Sequence, residues 1–315
     1  MHLRYDEDFV EEAVLLCTTG RRKGVSSLHV SRFHREREKL YNILEPDERN
    51  TAFFQLHLQW FREWGLEQLL TQPLKEFPLL PKWLNILAFR KSRGKNDDGS
   101  ELYVNETANR NGVVAMRPER FAHETELGAF LRHELTHLED MVNPAFGYQP
   151  ELPNTGPTLS SHRLARERYR LLWDVSIDGR LTRRGRHTVA TKHQRWSEFT
   201  GAFAFWTEAR QRDVFECLWK DPNPTHQILA ELVRDPGQLQ ANAGPRPGAP
   251  CPLCGFPTFA WAQPESLAQD IALAIQAEFA MWTAQQGACA RCAVIYRQAS
   301  MLSSHSSYSC HVPTR

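Results

Sequence analysis

Five consecutive residues, His133-Glu134-Leu135-Thr136-His137, form the pattern H-E-x-x-H. Residues four apart share one face of an α-helix, so both imidazoles reach a single metal ion. Glu134, next to the first histidine, then stands where it can take a proton from a metal-activated water. Two histidines, a neighbouring carboxylate and an open coordination position are the minimal apparatus of a zinc hydrolase. The chain has 13 His in 315 residues, and at that frequency chance yields about 0.04 such patterns. Without a metal, the same residues would be a surface helix carrying two solvated histidines.

Such residues need a helix to carry them and a support behind it. Residues 126–141 read as that helix. No proline interrupts them, and Leu127, Phe130, Leu131, Leu135, Leu138 and Met141 recur at helical spacing as one apolar stripe. At about 100° per residue, His133 and His137 fall beside the stripe, so the helix buries one side and offers the histidines to a cleft. Glu124 and Glu126 suit its positive end. Upstream, residues 84–90 and 101–104 read as strands around a turn at 95–99. Asn111-Gly112 marks another turn before Val113, Val114, Ala115 and Met116. A small antiparallel sheet thus leads into the histidine helix.

A catalytic zinc takes a third protein ligand. Positions 140 and 143, where a metzincin carries Gly and His, hold Asp140 and Asn143, and the aspzincin signature G-T-x-D is absent. A second helix begins near Ser160-Ser161-His162 and runs through Leu181. It places Asp174 and Asp178 four apart on one face. Gly179 inside that helix costs about 1 kcal/mol relative to Ala, which a close helix approach at the metal, or a helix end, would explain. As a plain surface feature, the two aspartates would be a solvated acidic pair beside Arg180. His162, His187 and His193 are weaker candidates for a ligand or for polarising a substrate carbonyl.

Residues 84–185 resemble the gluzincin-like side of the zincin metallopeptidases. That resemblance implies an α+β fold, mainly helical, in which an edge strand before the H-E-x-x-H helix binds extended peptide. Val113, Val114, Ala115 and Met116 are the matching segment, although the residues alone fit a plain structural hairpin equally well. Gluzincins carry E-x-x-x-D on the second helix, which makes Asp174 the ligand and Asp178 the residue orienting a histidine. Metallopeptidase-like proteins found with von Willebrand A domains carry segments similar to Trp173, Asp178, Arg180 and Leu181, which makes Asp178 the ligand. Asp178 is preferred over Asp174. Either choice puts Asp where most gluzincins use Glu.

Cys251-Pro-Leu-Cys254 and Cys289-Ala-Arg-Cys292 are two C-x-x-C pairs, while Cys17, Cys217 and Cys310 stand alone. Four thiolates close a tetrahedral structural zinc site, and Gly255 permits the tight turn of a knuckle. The second pair opens a helix-like run, and the spacer reads as a helix over 265–280. The arrangement resembles a treble-clef or zinc-ribbon module; a redox dithiol or disulfides are the alternatives. Only Glu265, Asp270, Glu278 and Arg291 are charged between Cys251 and Cys292. That is no basic patch, so nucleic acid is not a favoured partner.

The length suggests a helical region over 1–80, a zincin-like metallopeptidase domain over 81–235, a four-cysteine module over 251–298 and a disordered tail over 299–315. Residues 235–250, with four Pro and three Gly, read as a linker. Residues 6–71 look helical, and the aromatic run 52–65, with His57, reads as core. Residues 190–219 read as one long helix, and 143–160 as a loop bordering the cleft. A net charge of +1 gives no global argument for a polyanion partner. No apolar run has the length of a membrane span, residues 1–8 do not read as a signal peptide, and the cysteines fit a reducing cytoplasm. The sequence therefore predicts a zinc metallopeptidase acting on peptide or protein, with one catalytic and one structural Zn2+. Two other classes remain: a zincin-fold scaffold or assembly factor without activity, and a nucleic-acid-associated protease similar in domain order to the SprT type. The latter carries a third histidine downstream that is not evident here.

Overall fold

The computed structural model describes the chain apart from residues 21, 23, 95–96, 106–108, 153–158, 234–244, 246–247, 250, 264–266, 280–281 and 306–315. It divides into two compact units, Met1–Val233 and Arg234–Arg315. Most of the 235–250 linker and Cys310 lie outside the described residues.

In the first unit, β1 (His2–Tyr5), β2 (Ile86–Lys91), β3 (Gly99–Val104) and β4 (Arg110–Met116) form one sheet in the order β1-β2-β4-β3. β1 runs parallel to β2 and β2 parallel to β4; β3 is antiparallel to β4. The sheet is thus mixed, not antiparallel as the sequence suggests. Two of its inner strands present apolar residues to the core, with Leu87, Phe89, Val114, Ala115 and Met116 all buried, as parallel strands covered on both faces do. β3 keeps Glu101, Tyr103 and Val104 exposed at the sheet's edge. This ordering also moves the expected peptide-binding segment. Val113, Val114, Ala115 and Met116 lie on β4, whose two edges are already paired with β2 and β3. A substrate strand has no free edge there; the edge strands of the sheet are β1 and β3.

Helices α1 (Glu7–Thr18), α2 (Ser27–Leu40), α3 (Pro46–Glu63), α4 (Leu66–Leu74) and the short α5 (Leu80–Trp83) precede β2. A 3-10 turn, Pro118–Ala122, leads into α6 (Glu124–Val142). One core joins Phe9 and Val14 of α1, Trp60 and Phe61 of α3, Phe89 of β2 and Leu135 and Leu138 of α6. The N-terminal helices therefore share the core that carries the histidine helix, and β1 makes the N-terminus part of the sheet. Trp60, Phe61, Trp64 and His57 are buried, as the aromatic run implies.

A second core is built from α7 (Leu159–Arg183), α8 (Lys192–Ala202), α9 (Glu208–Lys220) and α10 (His226–Val233). Residues 190–219 are two helices rather than one. Phe203 and Trp206 bury at the break, Thr207 caps α9 through the Arg210 amide, and Gln211 Nε2 donates to the Phe203 carbonyl. Gly179 does mark a close approach, but to α9 rather than to the histidine helix. A Cβ there would lie 2.2 Å from the Trp219 carbonyl oxygen.

In the second unit, α11 (Gln269–Glu278) and α12 (Ala290–His305) pack through Ile271, Ile275, Trp282 and Ala293. α12 continues past residue 299, where the sequence suggests a tail. Among the described residues, no helix is long and apolar enough to cross a membrane.

Candidate metal centre

α6 turns its apolar stripe to the first core and a polar face to α7. His133, Glu134 and His137 all lie on that covered side and are buried. α7 answers with residues spaced four apart. Asp174 Oδ1 lies 3.2 Å from His133 Nε2 and 3.0 Å from His137 Nε2. One ligand atom from each of these three residues fits within 4.8 Å of the others. Tetrahedral zinc with nitrogen and oxygen ligands near 2.0–2.1 Å requires ligand atoms about 3.3 Å apart. Two imidazoles and a carboxylate are also the right donors, so this set fits such an ion in both chemistry and spacing.

Asp178 takes a different place. Its Oδ1 lies 3.0 Å from Nδ1 of His133, the nitrogen facing away from the group. Arg195 of α8 donates from Nε to the other oxygen of Asp178 at 2.7 Å, and from Nη1 to Glu198 at 2.9 Å. Of the two aspartates, then, Asp174 faces both Nε2 atoms and Asp178 does not, the reverse of the preference read from the sequence. The pair is no solvated surface feature, since Asp178 is fully buried. Trp173 and Arg180, which carried the resemblance favouring Asp178, instead hold Asp140 of α6. Trp173 Nε1 donates to it at 2.7 Å, and the Arg180 guanidinium donates to both oxygens at 2.9 and 2.5 Å. These bonds fix the offset between α6 and α7, and with it the reach of Asp174.

The electrostatics follow from that packing. Burial opposes charge on His133, but the bonds to Asp174 and Asp178 outweigh it and push the imidazole pKa up to about 10. Burial likewise opposes charge on Asp174, and the two histidines still hold it well below the usual carboxylate range.

Glu134 is oriented by the sheet. Ser100 Oγ of β3 donates to Glu134 Oε2 at 2.9 Å. The turn before β3 is held by ion pairs: Arg90 to Asp97 at 2.7 Å, and Asp98 to Arg120 at 2.7 Å and Arg117 at 3.2 Å. Gly99 follows with φ +153°, and a Cβ there would meet Arg170 Nη2 at 3.1 Å and Glu134 Oε2 at 3.8 Å. Two cavities open at this point. One, of about 480 Å3, reaches His133, Glu134, Asp174 and Arg195; the other, of about 410 Å3, reaches Ser100, Glu134, His137 and Tyr169. A larger cavity of about 590 Å3 is lined by His193 and Trp196 and contains none of the group. His162, His187 and His193 are exposed, and among the described residues they are not part of a ligand cluster.

Sequence reasoning missed Ser100, Arg170 and Arg195. Ser100 and Arg195 leave no local signal, because each reaches the site across a fold contact. Arg170 does leave one: Arg166, Arg170, Asp174 and Asp178 recur every fourth residue down α7.

In the second unit, Cys251, Cys254, Cys289 and Cys292 bring their sulfurs within 4.8 Å of one another. Cys254 and Cys289 sulfurs are 3.9 Å apart, too far for a disulfide and close to the roughly 3.8 Å edge of a zinc–thiolate tetrahedron. Gly255 adopts the left-handed φ of +73° that the first knuckle needs. Cys289 and Cys292 open α12, and the Cys289 amide donates to Cys251 Sγ at 3.3 Å. Burial works against the Cys251 thiolate, but amides of Cys289, Cys254 and Leu253 bring its pKa down to about 7. Compared with family models, curated proteins and solved structures, the chain matches none.

Proposed function

We propose that the first unit is a zinc-dependent peptidase of zincin type, with His133, His137 and Asp174 as the ligands of its catalytic zinc. The observation that carries this reading is the convergence of Asp174 Oδ1 on both Nε2 atoms, with Glu134 beside them at the mouth of two cavities. Zinc bound there would supply Lewis-acid polarisation of a carbonyl and a water acidic enough to ionise near neutral pH. Glu134 accepts the proton of the attacking water and passes it to the leaving amine, which balances the addition of water across the peptide bond. Ser100 holds the Glu134 carboxylate while it does so. Asp178 fixes the tautomer and tilt of His133 by accepting from Nδ1, a common arrangement behind zinc-bound histidines. An extended substrate adds to the open edge of β3, which runs toward Glu134 from Val104 to Gly99. The four cysteines of the second unit hold a structural zinc, in a module of treble-clef or zinc-ribbon type.

Zinc per chain, by elemental analysis, tests this first. Wild type is expected to carry two equivalents, and the His133→Ala/His137→Ala variant one. Glu134→Gln is expected to keep both zincs and lose peptide hydrolysis by about 10²-fold or more. A single zinc unchanged by the double substitution would overturn the assignment.

A further inference from the structure

Four arginines surround the two cavities at Glu134, and they are not equivalent. Arg120 is engaged by Asp98 at 2.7 Å, and Arg195 by Asp178 and Glu198. Arg166 and Arg170 have no carboxylate partner among the described residues. Arg170 makes one long bond, from Nη2 to the Asp98 carbonyl at 3.5 Å. Both are exposed, stand one turn apart on α7, and line the 410 Å3 cavity. Arg170 also lines the 480 Å3 cavity, so it stands where the two meet. Arg170 Nη2 and Glu134 Oε2 flank Gly99, 3.1 and 3.8 Å from where a Cβ would stand there, without an ion pair between them, and Arg170 is one helical turn from Asp174.

A guanidinium costs little to leave in water, but this one lines both cavities at Glu134 with most of its five donors uncommitted among the described residues. Its fork matches a carboxylate in a bidentate bond, which Lys or an amide cannot reproduce. We propose that Arg170, assisted by Arg166, binds a carboxylate of the peptide substrate beside the scissile bond. This rests on the peptidase reading above. The carboxylate is either the C-terminal one or that of an Asp or Glu side chain. The site is thereby selective for acidic or chain-terminal substrates, and Arg170 is a specificity residue rather than a ligand or a base.

The test uses the zinc-loaded full chain and binding, not turnover. The probes are N-hydroxysuccinamic acid, a hydroxamate carrying a free carboxylate, and its neutral amide. The acid is expected to bind about tenfold more tightly by calorimetry, and Arg170→Gln to remove that preference while leaving the amide unchanged. Arg166→Gln should reduce it in part. Equal binding of acid and amide to wild type overturns this inference alone. No binding of either, with zinc present, overturns the zinc-site reading and this inference with it. Competition by N-acetyl-trialanine against its C-terminal amide, and by amidated Ala-Ala-Glu-Ala-Ala against the Gln peptide, then separates the sources. A preference for the free terminus assigns a terminal carboxylate, and a preference for Glu assigns a side chain. No preference in either pair overturns the proposal.

Discussion

At the scale of single residues, Asp174 and Asp178 divide a task that their spacing made look shared. H-E-x-x-H was legible because helical periodicity alone brings its two histidines to one face of α6. The choice between the aspartates was not, because both lie on the same face of α7 and only the offset against α6 separates them. That offset is set by Asp140, Trp173 and Arg180, three residues with no visible pattern between them. The two aspartates are therefore expected to respond differently to substitution. Asp174→Asn should abolish zinc at the histidine site, leaving one equivalent per chain. Asp178→Asn should keep both but weaken the histidine site about 10- to 100-fold, as loss of a histidine's orienting carboxylate does. Competition with a chelator of known affinity, on protein shown to be folded by circular dichroism, distinguishes them. Retention of full affinity in Asp174→Asn would exclude it as a ligand. Arg195 belongs to the same chain of contacts, bonding Asp178 from behind, and nothing in the sequence near residue 195 signals it.

At the scale of elements, the helices were easier to foresee than the sheet. α6 and α7 follow from uninterrupted apolar periodicity. The strands were located, but their order depends on which segment inserts between which. β4 inserts between β2 and β3, and a strand's own residues do not declare its neighbours. The ordering leaves β3, whose Ser100 bonds Glu134, as an edge strand of the sheet. Gly179 shows the same limit in helix packing: its presence inside α7 signalled a close approach, and the structure names α9 as the partner. Adding one methyl group there drives it into the Trp219 carbonyl, a backbone atom that cannot rotate away. Gly179→Ala is expected to destabilise the first unit by about 1–3 kcal/mol in denaturant titration. Gly201→Ala in α8, where an added Cβ meets nothing within 4 Å, is the contrast. It should be neutral or stabilise by about 0.5–1 kcal/mol through helix propensity. If the two substitutions behave alike, the α7–α9 contact is not the reason for Gly179.

At the scale of the whole molecule, each unit has its own core, and the stability of the first carries a pH dependence separate from its metal chemistry. His57 sits in the N-terminal core against Phe33 and Phe53, with ring centroids 5.8 and 6.2 Å away, and its Nε2 has no hydrogen-bond partner. Burial first, and then the nearby Arg37, push its pKa down from 6.5 to about 4. The unfolded chain therefore takes up this proton before the folded one does. Above about pH 6.5 both states hold a neutral ring and stability is undiminished. As pH falls from there toward 4, protonation favours the unfolded state, at a total cost of about 3 kcal/mol. His57→Leu removes the titrating group while keeping an apolar side chain in the cavity. Wild type should lose about 3 kcal/mol relative to this variant between pH 7 and pH 4, read from urea midpoints of the first unit. A difference that does not change with pH would mean that His57 reaches water or a partner in the folded state. The aromatic run at 52–65 announced a core, and a histidine inside that run could be placed there. The loss of its charge could not be foreseen, because it depends on α2 carrying Phe33 and Arg37 up against α3.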